Sequence, residues 1–537
     1  MPQVGDGPLT IGPGGPPLAF PIQETAGVRF TGSSKPVFTF MFSPATNPLD
    51  SAAYVDITPY VLDFQCKYGR QFELNRFEAG TAQFTLDNTD RRFDPVNTSS
   101  PYYPNLLPMR KFRVTATFQG VTYTIFIGYI EQWPPAWEGP SWSTVECTAI
   151  DAFEALSLAD ISSLPATLTT TQGSNKDLKF TSNALGAGNN LITIEYVNTG
   201  SLTVTVTGLA IQVGINQGTT TANQILSAVN ADTIAGILVT ASLASGSTGT
   251  GTPTAFAPTA LTGGTFQQQL TGARINAVLD AVNWPSTDRA IDAGQVQVAA
   301  RMFKVSDHQK AKSHINDVEN SELGYVFINH AAGGVITYHD KVHRTTASRS
   351  TVSQATFGDG GGSELEYEEL QPSYDKTYVY NYVAVTPYGA SVAQTATDQT
   401  SISQYMLRTY TLSTELTSSS DALSLAANIL NTYKQPQLRF VSMTIKPLDD
   451  ANIWSKALTL QIGDRITVIR RPPTNGQVIG SQMSNDSFIE SIEWQMSGGE
   501  LDVTVKYELS PTLGALQLLL DDPIFGKLDS NNVLGAF

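Results

Sequence analysis

The sequence predicts a mainly β, multi-domain protein, with two β-barrel-like domains, an α/β connecting domain and a small inserted αβ domain. Three observations predict it. Residues 76–133 alternate apolar and polar side chains between Gly and Asn/Asp breaks, the pattern of half-buried strands joined by turns. Between Tyr196 and Ala273 the only charged residue is Asp232, so a Thr/Ala/Gly/Ser-rich unit of different character interrupts the chain. Finally, Phe126, Ile127, Gly128, Tyr129, Ile130 and Glu131 recur as Phe488, Ile489, Glu490, Ser491, Ile492 and Glu493, with Trp133 and Trp494 following within two residues. Both copies continue through a Gly-containing turn into an alternating strand (145–150 and 501–509). The two barrel-like domains are therefore expected to be copies of one unit.

Residues 1–49 are expected to form an arm, since the first twenty hold five Gly and five Pro and too few apolar side chains for a core. Such an arm packs on this chain's own domains or on a neighbouring subunit; the second is the reading preferred. The first barrel-like domain spans 50–160. Ala82, Phe84 and Leu86 alternate with Thr81, Gln83 and Thr85, up to a polar turn at 87–94. Phe112, Val114, Ala116 and Phe118 then alternate with Lys111, Arg113, Thr115 and Thr117. After Gln119 and Gly120 the chain returns with Val121, Tyr123, Ile125 and Ile127 on one face. The inserted domain, 161–268, reads as strand, helix and strand. Leu202, Val204 and Val206 alternate with threonines, Ile225, Ala228 and Val229 keep helical spacing, and 237–241 is a further strand. It is either removable decoration or, given so few charges, a docking face for another protein; the second is preferred.

The connecting domain spans 269–360. Ile275, Val278 and Val282 share a helical face that ends near Trp284 and Pro285. A capping box at 306–309 precedes a second helix carrying Ala311, Ile315 and Val318. Strands at 325–329 and 335–339 flank a turn at 331–334, and 357–363 is a Gly-rich linker. In the second barrel-like domain, 361–511, residues 379–385 read as a strand. Leu423, Ala427, Leu430 and Tyr433 mark a helix that Pro436 closes. Leu458, Leu460 and Ile462 read as one arm of a hairpin turning at Gly463 and Asp464 into Ile466 and Val468. Residues 512–537 form a tail.

Taken whole, residues 76–133 resemble the opening domain of the tail-tip or baseplate hub (minor tail) proteins of long-tailed phages, particularly those of actinobacterial hosts. The residues that carry the resemblance are Gly80 to Leu86, Asn88, Asp90, Arg92, Phe93, Pro95, Arg110 and Gly128 to Trp133. The later order of helix, Gly463-Asp464 turn and alternating strands is similar to the same family, leaving only the insertion and the arm outside it. The resemblance implies a structural hub that joins the tail tube or distal tail ring to the distal tip and forms part of the channel for genome ejection. It implies a virion location at the tail tip, assembly in the host cytoplasm, and other tail proteins as partners: the distal tail or tube protein, the tape measure protein and other minor tail proteins. Tubes of this kind are expected to be six-fold and tips three-fold. A homotrimer whose subunits each carry two copies of one unit meets both demands.

The residues also bear on other classes of function. A net charge of −16 over 537 residues argues against a nucleic-acid coat, so DNA is expected only in transit. With Arg29 as first cation and no long apolar run, neither a signal peptide nor a membrane-spanning segment is expected. Cys66 and Cys147 lie in alternating segments and read as half-buried free thiols, with a single bridge the alternative. No metal site or cofactor is expected. His308 and His314 fall on opposite faces of a helix, His330 is in a turn, and His339 and His343 would lie about 13 Å apart on an extended strand. The carboxylates at 87–94 suit a side-chain-capped turn better than a calcium loop. Residues 358–362 lack the Lys-Ser/Thr of a phosphate loop. Arg91/Arg92, Arg110/Lys111 and Arg470/Arg471 read as cations at strand ends.

No catalytic residue is expected, and hence no enzymatic activity. The pairs Glu364/Glu366, Glu368/Glu369 and Asp449/Asp450 are ordinary among 48 acidic residues. Two alternatives remain. Trp133, Trp137 and Trp142 around Pro134 and Pro135, or the insertion, would serve a receptor-binding protein that takes glycans, although Trp133 reads as a core anchor. A cell-wall-degrading tail lysin would need a further domain, for which the 26 residues after Pro511 are too few.

Overall fold

The computed structural model describes residues 35–138, 142–374, 376–471, 482–497 and 502–512. Strand outweighs helix, 39% to 21%, which makes the chain mainly β. The described residues form three hydrophobic cores.

The period-two alternation becomes five strands in the first unit: β1 (Val61–Gly69), β2 (Glu78–Asp87), β3 (Arg110–Phe118), β4 (Val121–Ile130) and β5 (Trp142–Ile150). All pairings are antiparallel, in the order β3-β4-β5-β2-β1. Their inward side chains interlock, with the Phe84 and Phe112 rings stacked at 4.1 Å. Five strands of the second unit follow: β6 (Glu369–Ser373), β7 (Arg439–Ile445), β8 (Arg465–Arg470), β9 (Met483–Ser497) and β10 (Asp502–Pro511). They are antiparallel in the order β8-β9-β10-β7-β6. Adding five to each label converts one order into the other. The hexapeptide falls on the equivalent strand of each unit, β4 and β9. Tyr129 and Ser491 are both fourth in the repeated hexapeptide. Tyr129 lies opposite Ile150, which faces Thr81 and, beyond it, Lys67. Ser491 lies opposite Glu508, which faces Ser442 and then Gln371.

The expected barrels need correction. β1 pairs not with its own unit's far strand but with β9, from Phe64 opposite Met496 to Gly69 opposite Ser491. The two units therefore share one open fourteen-stranded sheet and one core, and no closed barrel is present among the described residues. Val37–Phe42, expected in the arm, is a strand on β3, because Phe38, Phe40 and Phe42 alternate inward. The rest of the arm through residue 34, and the tail from 513, lie outside the described residues.

Local corrections have local causes. A bulge opposite Val114 and Thr115 switches the inward face of β4 at Ile125, so Phe126 is buried and Val121 exposed. The 458–462 hairpin arm is replaced by a helix, Ala451–Thr459, which Asp450 caps by accepting from the Asn452 and Ile453 amides. Residues 306–309 do not cap the helix Ala311–Glu319; the Asp307 carboxylate instead accepts from the Lys304 amide in a short 3-10 turn. The helix Ser419–Tyr433 buries Leu430 and Tyr433 as expected, but its first turns bury Ala422, Leu425 and Ala426 and leave Leu423 exposed. Cys66 and Cys147 are both free and buried, so the bridge alternative falls away.

The insertion has a core of its own, in which Ile194, Val213, Ile225 and Val229 meet. Its helix Ala222–Ala231 starts at a Thr221/Gln224 capping box. Residues 237–241 straddle a helical turn, Ala235–Leu238, and the strand Val239–Leu243. The connector packs the helices Thr271–Ala281 and Ala311–Glu319 beside the hairpin Tyr325–Asn329/Val335–His339, whose outer neighbour Arg289–Ile291 is parallel.

Candidate functional site: the connector at the two repeats

The connector touches the repeated hexapeptide in both units, and at neighbouring positions of the repeat. In the first unit the contact is with the Ile127 amide. His330, from the connector turn, accepts from it through Nδ1 at 3.2 Å. The imidazole stacks on Phe126 at 4.8 Å and lies 4.2 Å from the Tyr68 ring. Burial pushes His330 down to about 3, so it is a neutral plug. Asp151 Oδ2 lies 3.7 Å from its Nε2, but the pair is not ionic because the imidazole carries no charge.

In the second unit the residue equivalent to Gly128 is Glu490, fully buried. Arg70, just after β1, donates from Nε to one carboxylate oxygen at 2.7 Å, and Arg344 of the connector donates to the other at 2.7 Å. Ser510 donates to it at 2.5 Å. Burial alone would raise the Glu490 carboxyl; Arg344 and Arg70 outweigh it and bring it down to about 2. The chain at Gly69 has φ +118°, and a Cβ there would strike the Glu490 backbone, so glycine is required where β1 turns around the carboxylate. A second ion pair across the units joins Arg439 of β7 to Glu73 at 3.3 Å. Beside this junction lies a cavity of about 450 Å³, lined by Arg70, Glu73, Tyr325, Arg344, Tyr433 and Phe488 among others.

With that geometry established, the chain can be set beside known proteins. No family model matches it, and no curated protein matches it in sequence. Among solved structures it is similar to the tail protein from Neisseria meningitidis, at 9% identity and a TM-score of 0.46, over 89% of this chain and 98% of that one. It is also similar to the 43 kDa tail protein of prophage MuSo2 from Shewanella oneidensis, at 8% identity and a TM-score of 0.42, over 89% and 98%. An Escherichia coli component of the type VI secretion system is similar at 8% identity and a TM-score of 0.36, over 84% and 73%.

The residues weighed for chemistry have mostly structural partners. Side chains of the 87–94 turn cap it themselves: Asp87, Asn88 and Asp90 accept from the Thr89, Phe93 and Arg92 amides at 2.9, 2.8 and 3.0 Å. Glu364 pairs with Arg471 at 2.5 Å, and Arg470 with Asp359 at 2.8 Å, so the Gly-rich linker is pinned and these arginines do more than end a strand. Trp133 is buried and donates to the Leu107 carbonyl at 3.2 Å, whereas Trp137 and Trp142 stand exposed on a small hairpin rather than in a loop.

The histidines differ most from expectation. His308 lies before the helix and pairs with Asp160 at 2.9 Å, while His314 is buried beside Arg274. His339 and His343 are not on one extended strand. The strand ends at His339, and Asp340 accepts from the Val342 and His343 amides at 3.1 Å each, turning the chain back on itself. The two imidazoles then stack with centroids 3.3 Å apart beside Asp292. Sequence spacing missed this because the turn depends on a side chain, Asp340, placed between the histidines.

Proposed function

We propose that the chain is the structural hub of a phage tail tip, joining the tail tube or distal tail ring to the distal tip and lining part of the genome channel. The observation that carries this reading is the repeated five-strand unit, alike in strand order and connectivity. Three subunits would present six such units in a ring. The outer edges fit that arrangement. β1 gives its edge to β9 within the chain, whereas its counterpart β6 ends the sheet and bonds to no further strand among the described residues. A terminal strand at that position suits pairing across a subunit boundary. The role is architectural rather than enzymatic, and DNA would pass a wall of net negative charge without adhering. Leu191, Ile234 and Ile237 stand exposed on the charge-poor insertion and suit docking by another tail protein. Solution mass and particle imaging test the reading: a trimer with a six-lobed ring is expected, and a monomer or a true six-fold particle would sink it.

One observation favours a second reading, glycan binding. Trp137 and Trp142 are 54% and 37% exposed on the 135–145 hairpin, and the Arg91 guanidinium lies 5.5 Å from the Trp137 ring centre. Glycan-array binding by wild type that disappears in Trp137→Ala would establish it.

A further inference from the structure

We propose that Asp292, His339 and His343 form a binding site for one borderline divalent transition ion of the Zn²⁺, Co²⁺, Ni²⁺ class. Each residue offers one ligand atom, and the three atoms lie within 4.8 Å of one another. Asp292 Oδ2 is 2.9 Å from His343 Nδ1 and 3.4 Å from His339 Nδ1. Bond lengths of about 2.0–2.1 Å at a tetrahedral angle set neighbouring donors roughly 3.3 Å apart, and these two distances bracket that value. Two imidazoles and one carboxylate are the donor set that suits such ions, with water in the remaining position.

The site is held from outside. Asp292 also accepts from the Asp340 amide at 3.2 Å, and Asp340 accepts from the Gln295 side chain at 2.8 Å. The His339 ring is set edge-on to Tyr325, with centroids 5.3 Å apart. His339 Nδ1 is buried yet makes no hydrogen bond, so one donor of the set has no other use. Binding needs one change. Stacked rings leave an ion out of both ring planes, so His343, the more exposed, must rotate to fan the pair open. The other three-residue group, His314, Asp317 and Glu415, is a poorer host. Arg274 lies 3.2 Å from the His314 ring nitrogen and Arg301 2.5 Å from Glu415, placing two fixed positive charges where a cation would sit. Occupancy would tie the loop after Arg289–Ile291 to the helical turn His343–Thr346, and so would steady Arg344 at the junction.

The test is calorimetric titration of the full chain with Zn²⁺. Wild type is expected to bind one equivalent. His343→Ala and Asp292→Asn should lose affinity roughly 100-fold or more, since outer-shell changes alone cost about 10–100-fold. His308→Ala, which removes an exposed histidine elsewhere, should bind as wild type. No binding by wild type, or equal binding by all variants, overturns the site. Should a variant fail to fold, Co²⁺ on the unaltered chain decides: intense visible bands of a four-coordinate ion with nitrogen donors support the site, and a spectrum like that of the aqueous ion overturns it.

Discussion

The two five-strand units share strand order but differ at the third position of the repeated hexapeptide, Gly128 in the first and Glu490 in the second. At Gly128 the chain is tight: a Cβ would come within 2.5 Å of the Ile150 carbonyl oxygen. The first unit is closed around backbone, and the connector meets it with a neutral imidazole. At Glu490 there is room for a carboxylate, and the second unit is fastened by charge to Arg70 and to Arg344. One duplicated scaffold has thus been given two kinds of joint. The first is shape-locked and tolerates no side chain; the second is charge-locked and tolerates no lost partner. The charged joint lies where three parts of the chain converge: the end of β1, the connector and β9. A buried ion pair fixes register among converging elements more sharply than apolar contact does, at the risk of a large penalty if one partner is removed.

Glu490→Gln should have the largest effect. It leaves two guanidinium groups buried against a neutral amide and should cost about 3–5 kcal/mol in denaturant unfolding. A loss below about 1 kcal/mol would mean that the joint is solvated and the contrast false. Next comes the shape-locked joint. Gly128→Ala should cost about 1–3 kcal/mol by overpacking, since backbone rather than a flexible side chain must yield. Gly80→Val should cost at least as much, though not because Gly80 holds a conformation reserved for glycine. The reason is space: a Cβ would lie 2.7 Å from Asp151 Oδ2 and 2.8 Å from the Tyr68 Cβ. Wild-type melting by either variant would show that the first unit gives more readily than its packing implies.

Much of this was legible in the sequence, and the rest was not, for physical reasons. Period two in 78–87 and 110–118 reports burial on one face, so those strands were readable residue by residue. The hexapeptide echo points to duplication, and the shared strand order extends the likeness to ten strands. What failed was set by partners distant in sequence. β1 bonds to β9, more than 400 residues away, and no local pattern announces which edge a strand will join. Leu458, Leu460 and Ile462 alternate as a strand would, but Leu458 closes the helix Ala451–Thr459, whose start is marked by the Asp450 cap rather than by any apolar period. His330 lies in a turn, as expected, but its partner is the Ile127 amide of another domain. Such plugs have no signature until both surfaces are known.

The pH response is the most discriminating, because the buried carboxylates at the two joints should answer pH with opposite signs. Asp151 accepts from the Gly80 amide at 2.7 Å and the Phe153 amide at 3.0 Å in the first unit, with no guanidinium on it. Burial therefore dominates and raises it to about 7. A carboxyl raised in the folded state contributes stability that is full below its unfolded value, near 3.8, and is lost as pH rises towards 7. Glu490 runs the other way. Its folded value of about 2 lies below the unfolded 4.5, so its contribution is full above about 4.5 and lost as pH falls towards 2. Each group can supply no more than ~1.4 kcal/mol per pH unit within its own window. From these two groups, stability should therefore peak between the windows, near pH 4–5, and slope away on both sides. Asp151→Asn keeps an acceptor for the two amides and should flatten the arm between pH 4 and 7 while leaving the acid arm intact. Glu490→Gln should flatten the acid arm and lower the whole curve. If both substitutions altered the same arm, the two joints would be electrostatically alike, and the division into a shape-locked and a charge-locked unit would have to be abandoned.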